Sequence, residues 1–215
     1  MDNLVYVKTY DAPPVDKKEI LRYMGMKKED EEIVGIIDEA LEEVYPSLSY
    51  KVCYTHIPVD SDGCINLVSK VNSNNLKKNL KGAKEAVLFC ATIGIEIDRL
   101  INKYSKLSPV KALCFQGIGA ERIEALCDAF CNDIKGEYNL KPRFSPGYGD
   151  FDVSYQKEIF KILEPFKKIG VALNESMLMS PSKSVTAIVG LTNEEADIKK
   201  CENCSNKTCE FRRVK

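Results

Sequence analysis

Apolar positions along the chain follow two periods, and each stretch names an element. Leu4 to Tyr10 alternate well enough for a strand, which Ala12, Pro13 and Pro14 break. Asp16 followed by Glu19 reads as a capping box that opens a short helix through Tyr23, closed by Gly25. Ile33, Ile36, Ile37, Ala40, Leu41 and Val44 form one stripe of a second helix ending near Pro46. Tyr50 to Val59 and Cys64 to Val71 read as strands, with the turn signal Asp62-Gly63 between them. Ser73 caps a short basic helix over Asn74 to Leu80, and Glu85 to Thr92 is an apolar run of buried-strand length. Gly94 opens a helix through about Tyr104.

Ser108 and Pro109 mark the next helix, with Ser at the N-cap and Pro at the first helical position. It is expected to run to about Lys135 and stop at Gly136, with Leu113, Phe115, Ile123, Leu126, Phe130 and Ile134 on its apolar stripe. Gly117 and Gly119 interrupt it. Each costs roughly 1 kcal/mol relative to alanine, so either another group packs closely there or the helix breaks. Beyond Tyr148, the residues Tyr155, Ile159, Ile162, Leu163 and Phe166 form a helical stripe, capped by Asp152 or Ser154 and ended or kinked at Pro165. Val171 to Met179 and Val185 to Leu191 read as two strands joined by residues 180–183. Strands and helices mix without strict alternation. The expected fold is therefore α+β: one domain over residues 1–192, a mixed or antiparallel sheet packed with helices, and a cysteine-bearing tail over 193–215.

Composition narrows the function classes. The net charge is -1, which argues against nucleic acid or an anionic membrane as partner. No apolar run approaches the ~20 residues that span a bilayer. The first residues do not form a signal peptide, so a cytoplasmic location is expected. Of nine cysteines, six sit in apolar segments, as is common for free thiols in reducing compartments. The single histidine, His56, falls on a strand and is expected to be structural or surface-exposed.

Two stretches carry candidate chemistry. Arg143, Phe144, Ser145, Pro146, Gly147 and Tyr148 place an arginine, a rigid turn and a tyrosine together. Arginine grips a carboxylate with two parallel hydrogen bonds, Pro and Gly let a backbone approach a ligand, and tyrosine offers a ring face and a hydroxyl. Read alone, the same string is an ordinary turn entering a helix. The second stretch is the tail, where Cys201, Cys204 and Cys209 have the spacing of thiolates that bind zinc or an iron–sulfur cluster. Both normally take four ligands, so a fourth must come from elsewhere. The alternative is a reduced tail or a simple thiol pair.

Four blocks in order give the chain a resemblance. They are Phe89 to Glu96 (FCATIGIE), Glu121 to Leu126 (ERIEAL), Arg143 to Tyr148 (RFSPGY) and Glu175 to Val185 (ESMLMSPSKSV). Together they resemble the reactivation domain of cobalamin-dependent methionine synthase, over roughly residues 85 to 191. The resemblance implies S-adenosylmethionine as ligand. Arg143 would hold its carboxylate, the backbone at Pro146 and Gly147 would approach it, and Tyr148 would line the pocket. Glu124, with Glu121 as fallback, would pair with its ammonium. It implies no catalytic side chain, because the nucleophile is a cobalt carried by a partner. A stand-alone reactivation subunit follows as the expectation, supporting reductive methylation of cob(II)alamin on a methionine synthase core with a flavodoxin-like electron donor. The competing expectation is a corrinoid-docking or electron-transfer module working through the cysteine tail. Gly149 to Ser154 departs from the family, which carries a Pro-x-Cys-Pro-x-His-like run there.

Overall fold

The computed structural model describes residues 4–26 and 28–194. A first strand, β1 (Tyr6–Thr9), is followed by helices α1 (Lys17–Tyr23) and α2 (Glu31–Val44) and by strand β2 (Lys51–Pro58). Asp16 caps α1, its side chain accepting from the amides of Lys18 and Glu19. The reciprocal half of the expected capping box is absent. The amide of Asp16 donates to Glu121 instead (3.1 Å), and Glu19 pairs with Arg22 (2.7 Å). A long-range acceptor has displaced the local one. Helix α2 buries Ile37, Ala40, Leu41 and Val44, as its stripe requires.

The expected strand over Cys64 to Val71 is a loop closed by a bridge between Asn66 and Lys70. Strand β2 already pairs with β1 on one side and with β3 (Glu85–Thr92) on the other, so it offers no free edge. Ile65 and Val71 are buried all the same, with the Val71 amide donating to the Ile65 carbonyl (3.2 Å). Helix α3 (Asn74–Leu80) begins where expected, with the Ser73 hydroxyl accepting from the Leu76 amide (3.0 Å).

Helix α4 (Glu96–Leu107) starts two residues after Gly94 and runs one turn past Tyr104, up to Ser108. Ser108 ends α4 and caps α5 (Pro109–Ile134), so the two helices abut. Helix α5 is continuous for 26 residues, about 39 Å at 1.5 Å per residue. Its glycines mark close packing. A Cβ on Gly117 would lie 2.7 Å from Met24 and 3.0 Å from the Ile20 carbonyl. One on Gly119 would lie 2.8 Å from the Lys183 side chain and 3.0 Å from Ile97. Leu113 leaves the expected stripe and is exposed, while Cys114 and Ile118 take the buried face.

The chain continues through β4 (Asn139–Leu140), α6 (Gln156–Leu163), α7 (Pro165–Ile169), β5 (Ala172–Leu173), β6 (Met179–Ser180) and β7 (Ser184–Thr192). Pro165 ends one helix and starts the next, with Glu164 left-handed between them (φ 46°). The redirected chain leaves Phe166 exposed, outside its expected stripe. The expected long strand over Val171 to Met179 is two short ones, because the chain reverses near Met177 (φ 62°).

The main sheet has the order β1-β2-β3-β7-β4 and is antiparallel throughout; β5 and β6 pair separately. Both faces are covered. Val52, Val87, Phe89, Ala91, Ala187 and Val189 pack with α1, α2, α4 and α5. Cys53, Ile57, Ala86, Leu88, Cys90 and Ile188 pack with α3, α6 and α7. This explains why β3 reads as a continuous apolar run: a strand covered on both sides has no polar face. No helix among the described residues is long and apolar enough to cross a membrane.

Candidate functional site

Residues 139–144 run along the outer edge of β7. Lys141 donates its amide to Gly190, and Phe144 exchanges both backbone hydrogen bonds with Ile188, each 2.9 Å. With the backbone stitched on both sides of it, Arg143 projects toward α5 while Phe144 packs on the opposite core. Glu124 and Asp128 wait there, one helical turn apart. Arg143 Nη2 lies 2.6 Å from Glu124 Oε2 and 3.1 Å from Asp128 Oδ1. Arg143 Nη1 is buried without an acceptor. Burial works against the guanidinium charge. Neighbouring Cys127, Glu124 and Asp128 more than offset it, and Arg143 stays protonated well above its ordinary range.

The turn then folds on itself. Tyr148 donates its amide to Ser145 (3.0 Å), Gly147 to Phe151 (2.7 Å) and Phe151 to Tyr148 (2.9 Å). Gly147 has φ +95° with open space where a side chain would sit, so here glycine serves the backbone conformation. Pro146 is buried and Tyr148 is 58% exposed. The Tyr148 hydroxyl titrates above its usual range through desolvation and then the charge of Glu124, with Arg143 opposing.

These residues wall one cleft of about 430 Å³. Glu124, Arg143, Ser145, Pro146 and Tyr148 form one side, and Met179 with residues 184–187 of β7 the other. Gln156 closes the end, its buried side-chain oxygen accepting from the Thr186 hydroxyl (2.8 Å). Sequence reasoning therefore brought four of its five ligand candidates to one cleft, with Gly147 between two of them. It missed Asp128, which the i, i+4 spacing from Glu124 on a helix could have found. It also missed Gln156, Ser184 and Thr186, whose roles depend on which strand faces the turn.

Glu121 serves another purpose. It is buried against the fully buried Arg122, whose remaining donors reach the carbonyls of Pro13 and Pro14. That bridge fastens the N-terminal segment to α5. It also forms part of a second cleft of about 450 Å³, lined by Asp16, Glu19, Tyr23, Glu121, Glu124 and Asp128. His56 lies on β2, half-exposed, 3.3 Å from Glu85. Among the described residues no group of three or more His, Cys, Asp or Glu side chains could hold a metal. Cys201, Cys204 and Cys209 lie outside the described residues.

A family model described as vitamin B12 dependent methionine synthase, activation domain, matches residues 131–211. In fold the chain is similar to the crystal structure of the MetH reactivation domain bound to AdoHcy, with a TM-score of 0.62 and 14% sequence identity. That match covers 87% of this chain and 78% of the other. No curated protein matches the chain.

Proposed function

We propose that the cleft between the Arg143–Tyr148 turn and β7 binds S-adenosylmethionine, and that the protein thereby supports reductive methylation of cob(II)alamin carried by a partner methionine synthase. The observation that carries this reading is the convergence of Arg143, Glu124 and Tyr148 on one cleft in this fold. Its volume lies within the range usual for small-molecule sites. The ligand is a zwitterion with a sulfonium, and the cleft offers a matching set. Arg143 takes the carboxylate, Glu124 the ammonium, and the Tyr148 ring face the positive sulfur. Glu124 and Asp128 hold the Arg143 guanidinium in the cleft wall before a ligand arrives.

The corrinoid, arriving on its partner, supplies the nucleophile. The residues of this chain orient the methyl donor and need no general base. The electron comes from a flavodoxin-like donor. Cys201, Cys204 and Cys209 are retained as ligands for zinc or an iron–sulfur cluster, a reading that metal analysis and an absorption spectrum after anaerobic purification decide. For the ligand itself the test is calorimetric titration of the purified protein with S-adenosylmethionine. Saturable binding is expected, and no heat at millimolar ligand overturns the assignment. Mixing the protein with a corrinoid-bearing methionine synthase core, S-adenosylmethionine and a reductant then tests the reaction, read as methylcobalamin formation.

A further inference from the structure

The residues just beyond Tyr148 grip a distant part of the chain. Asp150 Oδ1 accepts from the Ser73 hydroxyl (2.6 Å) and the Asn75 amide (3.0 Å), and Oδ2 accepts from the Asn74 amide (2.8 Å). Ser73 in turn accepts from the Leu76 amide, so hydroxyl and carboxylate together satisfy the unpaired donors at the start of α3. The Ser73 hydroxyl, followed by the two backbone amides, holds the Asp150 carboxyl below its ordinary range. Gly149 seats the contact, since a Cβ there would lie 2.3 Å from the Asn75 side chain. Farther on, the Tyr155 hydroxyl accepts from the Asn72 amide (3.0 Å), and Glu158 accepts from the amide and hydroxyl of Ser69 (2.8 and 2.7 Å).

We propose that Asp150 is a positioning residue for the cleft: by anchoring to the start of α3 it fixes the wall formed by Pro146 and Tyr148. The proposal rests on the reading that this cleft takes S-adenosylmethionine. Asp150 sits two residues from Tyr148, and the bonds of Gly147 and Phe151 close the turn around it. Releasing the anchor frees the turn while leaving Arg143, stitched to β7, in place. Gly149 to Ser154, where the chain departs from the family it resembles, thus acts as a strut to the loop before α3.

Hydrogen exchange at the amides of Gly147, Tyr148 and Phe151 is measured alongside S-adenosylmethionine titration, for wild type, Asp150→Ala, Asp150→Asn and Asp60→Ala. Asp60 is a matched control, an exposed carboxylate that accepts the amides of Asp62 and Cys64 and does not touch the turn. Asp150→Ala is expected to speed exchange at the three amides and to weaken binding about tenfold, the scale of about one lost hydrogen bond. Asp150→Asn keeps one acceptor oxygen but turns an NH2 toward a donor, so a smaller change in the same direction is expected in both readouts, and it serves as the informative variant if the alanine form fails to fold. Asp60→Ala changes neither. Unchanged exchange in the Asp150 variants, unchanged affinity, or an equal loss in Asp60→Ala overturns the proposal. If wild type fails to bind, the functional reading falls, and exchange alone decides whether Asp150 holds the turn.

Discussion

Two clefts flank the Glu124–Arg143 bridge, and they are nearly equal in volume. The cleft against α1 holds about 450 Å³ and is walled by acids, with no lysine or arginine among its lining residues. The cleft against β7 holds about 430 Å³ and adds Arg143, the Pro146–Tyr148 wall and the hydroxyl-bearing start of β7. Size therefore does not choose between them; charge does. An anionic group entering the first cleft meets several carboxylates. In the second it meets the wall that carries the Arg143 guanidinium, next to the Glu124 carboxylate. Glu124 belongs to both clefts, and the ion pair it makes with Arg143 turns one of them into a candidate zwitterion site.

The sharpest way to break this comparison is to disable one cleft and read the other. Glu121→Gln leaves the buried guanidinium of Arg122 without its charged partner. A loss of about 3–5 kcal/mol in stability is expected by denaturant unfolding, while the fraction that remains folded keeps its affinity for S-adenosylmethionine. If affinity falls instead, the acid-lined cleft is the binding site. Arg143→Ala is expected to weaken binding about 10- to 100-fold, the worth of charge-assisted hydrogen bonds, in the same titration. Glu124→Gln removes the ammonium partner but keeps a hydrogen-bonding group, so a loss of about tenfold follows. Glu19→Gln removes a charge from the acid-lined cleft and from an i, i+3 pair with Arg22. It should move stability by about 0.5 kcal/mol or less and leave affinity unchanged. A Glu19 effect as large as that of Glu124 would erase the distinction between the clefts.

Acid titration gives one further check, smaller and outside both clefts. Asp133 accepts hydrogen bonds from Lys8 and Tyr10, and these hold its carboxyl below the ordinary value. Its folded-state pKa is depressed, so its contribution is present above the unfolded value near 4 and is lost as pH falls through the folded one. Asp133→Asn should flatten that part of the acid limb in a plot of stability against pH.

Local signals in the chain were legible wherever one residue's own chemistry decides the backbone. Ser108 and Pro109 start α5, Ser73 starts α3, and the unbroken apolar run of Glu85 to Thr92 is β3. The Arg143–Tyr148 turn was legible too, because proline, glycine, arginine and tyrosine each carry their constraint wherever they stand. What failed depended on competition at a distance. Cys64 to Val71 has a strand's pattern but no open edge to join. Asp16 has a capping partner three residues away, yet Glu121 takes its amide from another helix. Glu121 and Glu124 look alike on one helix. Only the crossing of the N-terminal segment, which delivers the Pro13 and Pro14 carbonyls to Arg122, decides that Glu121 is structural and Glu124 faces the cleft. The sequence by itself determined the donors and acceptors and most of the elements that carry them. The tertiary structure decided which of them meet, because a buried charge settles on whichever partner the packed chain brings within hydrogen-bond reach.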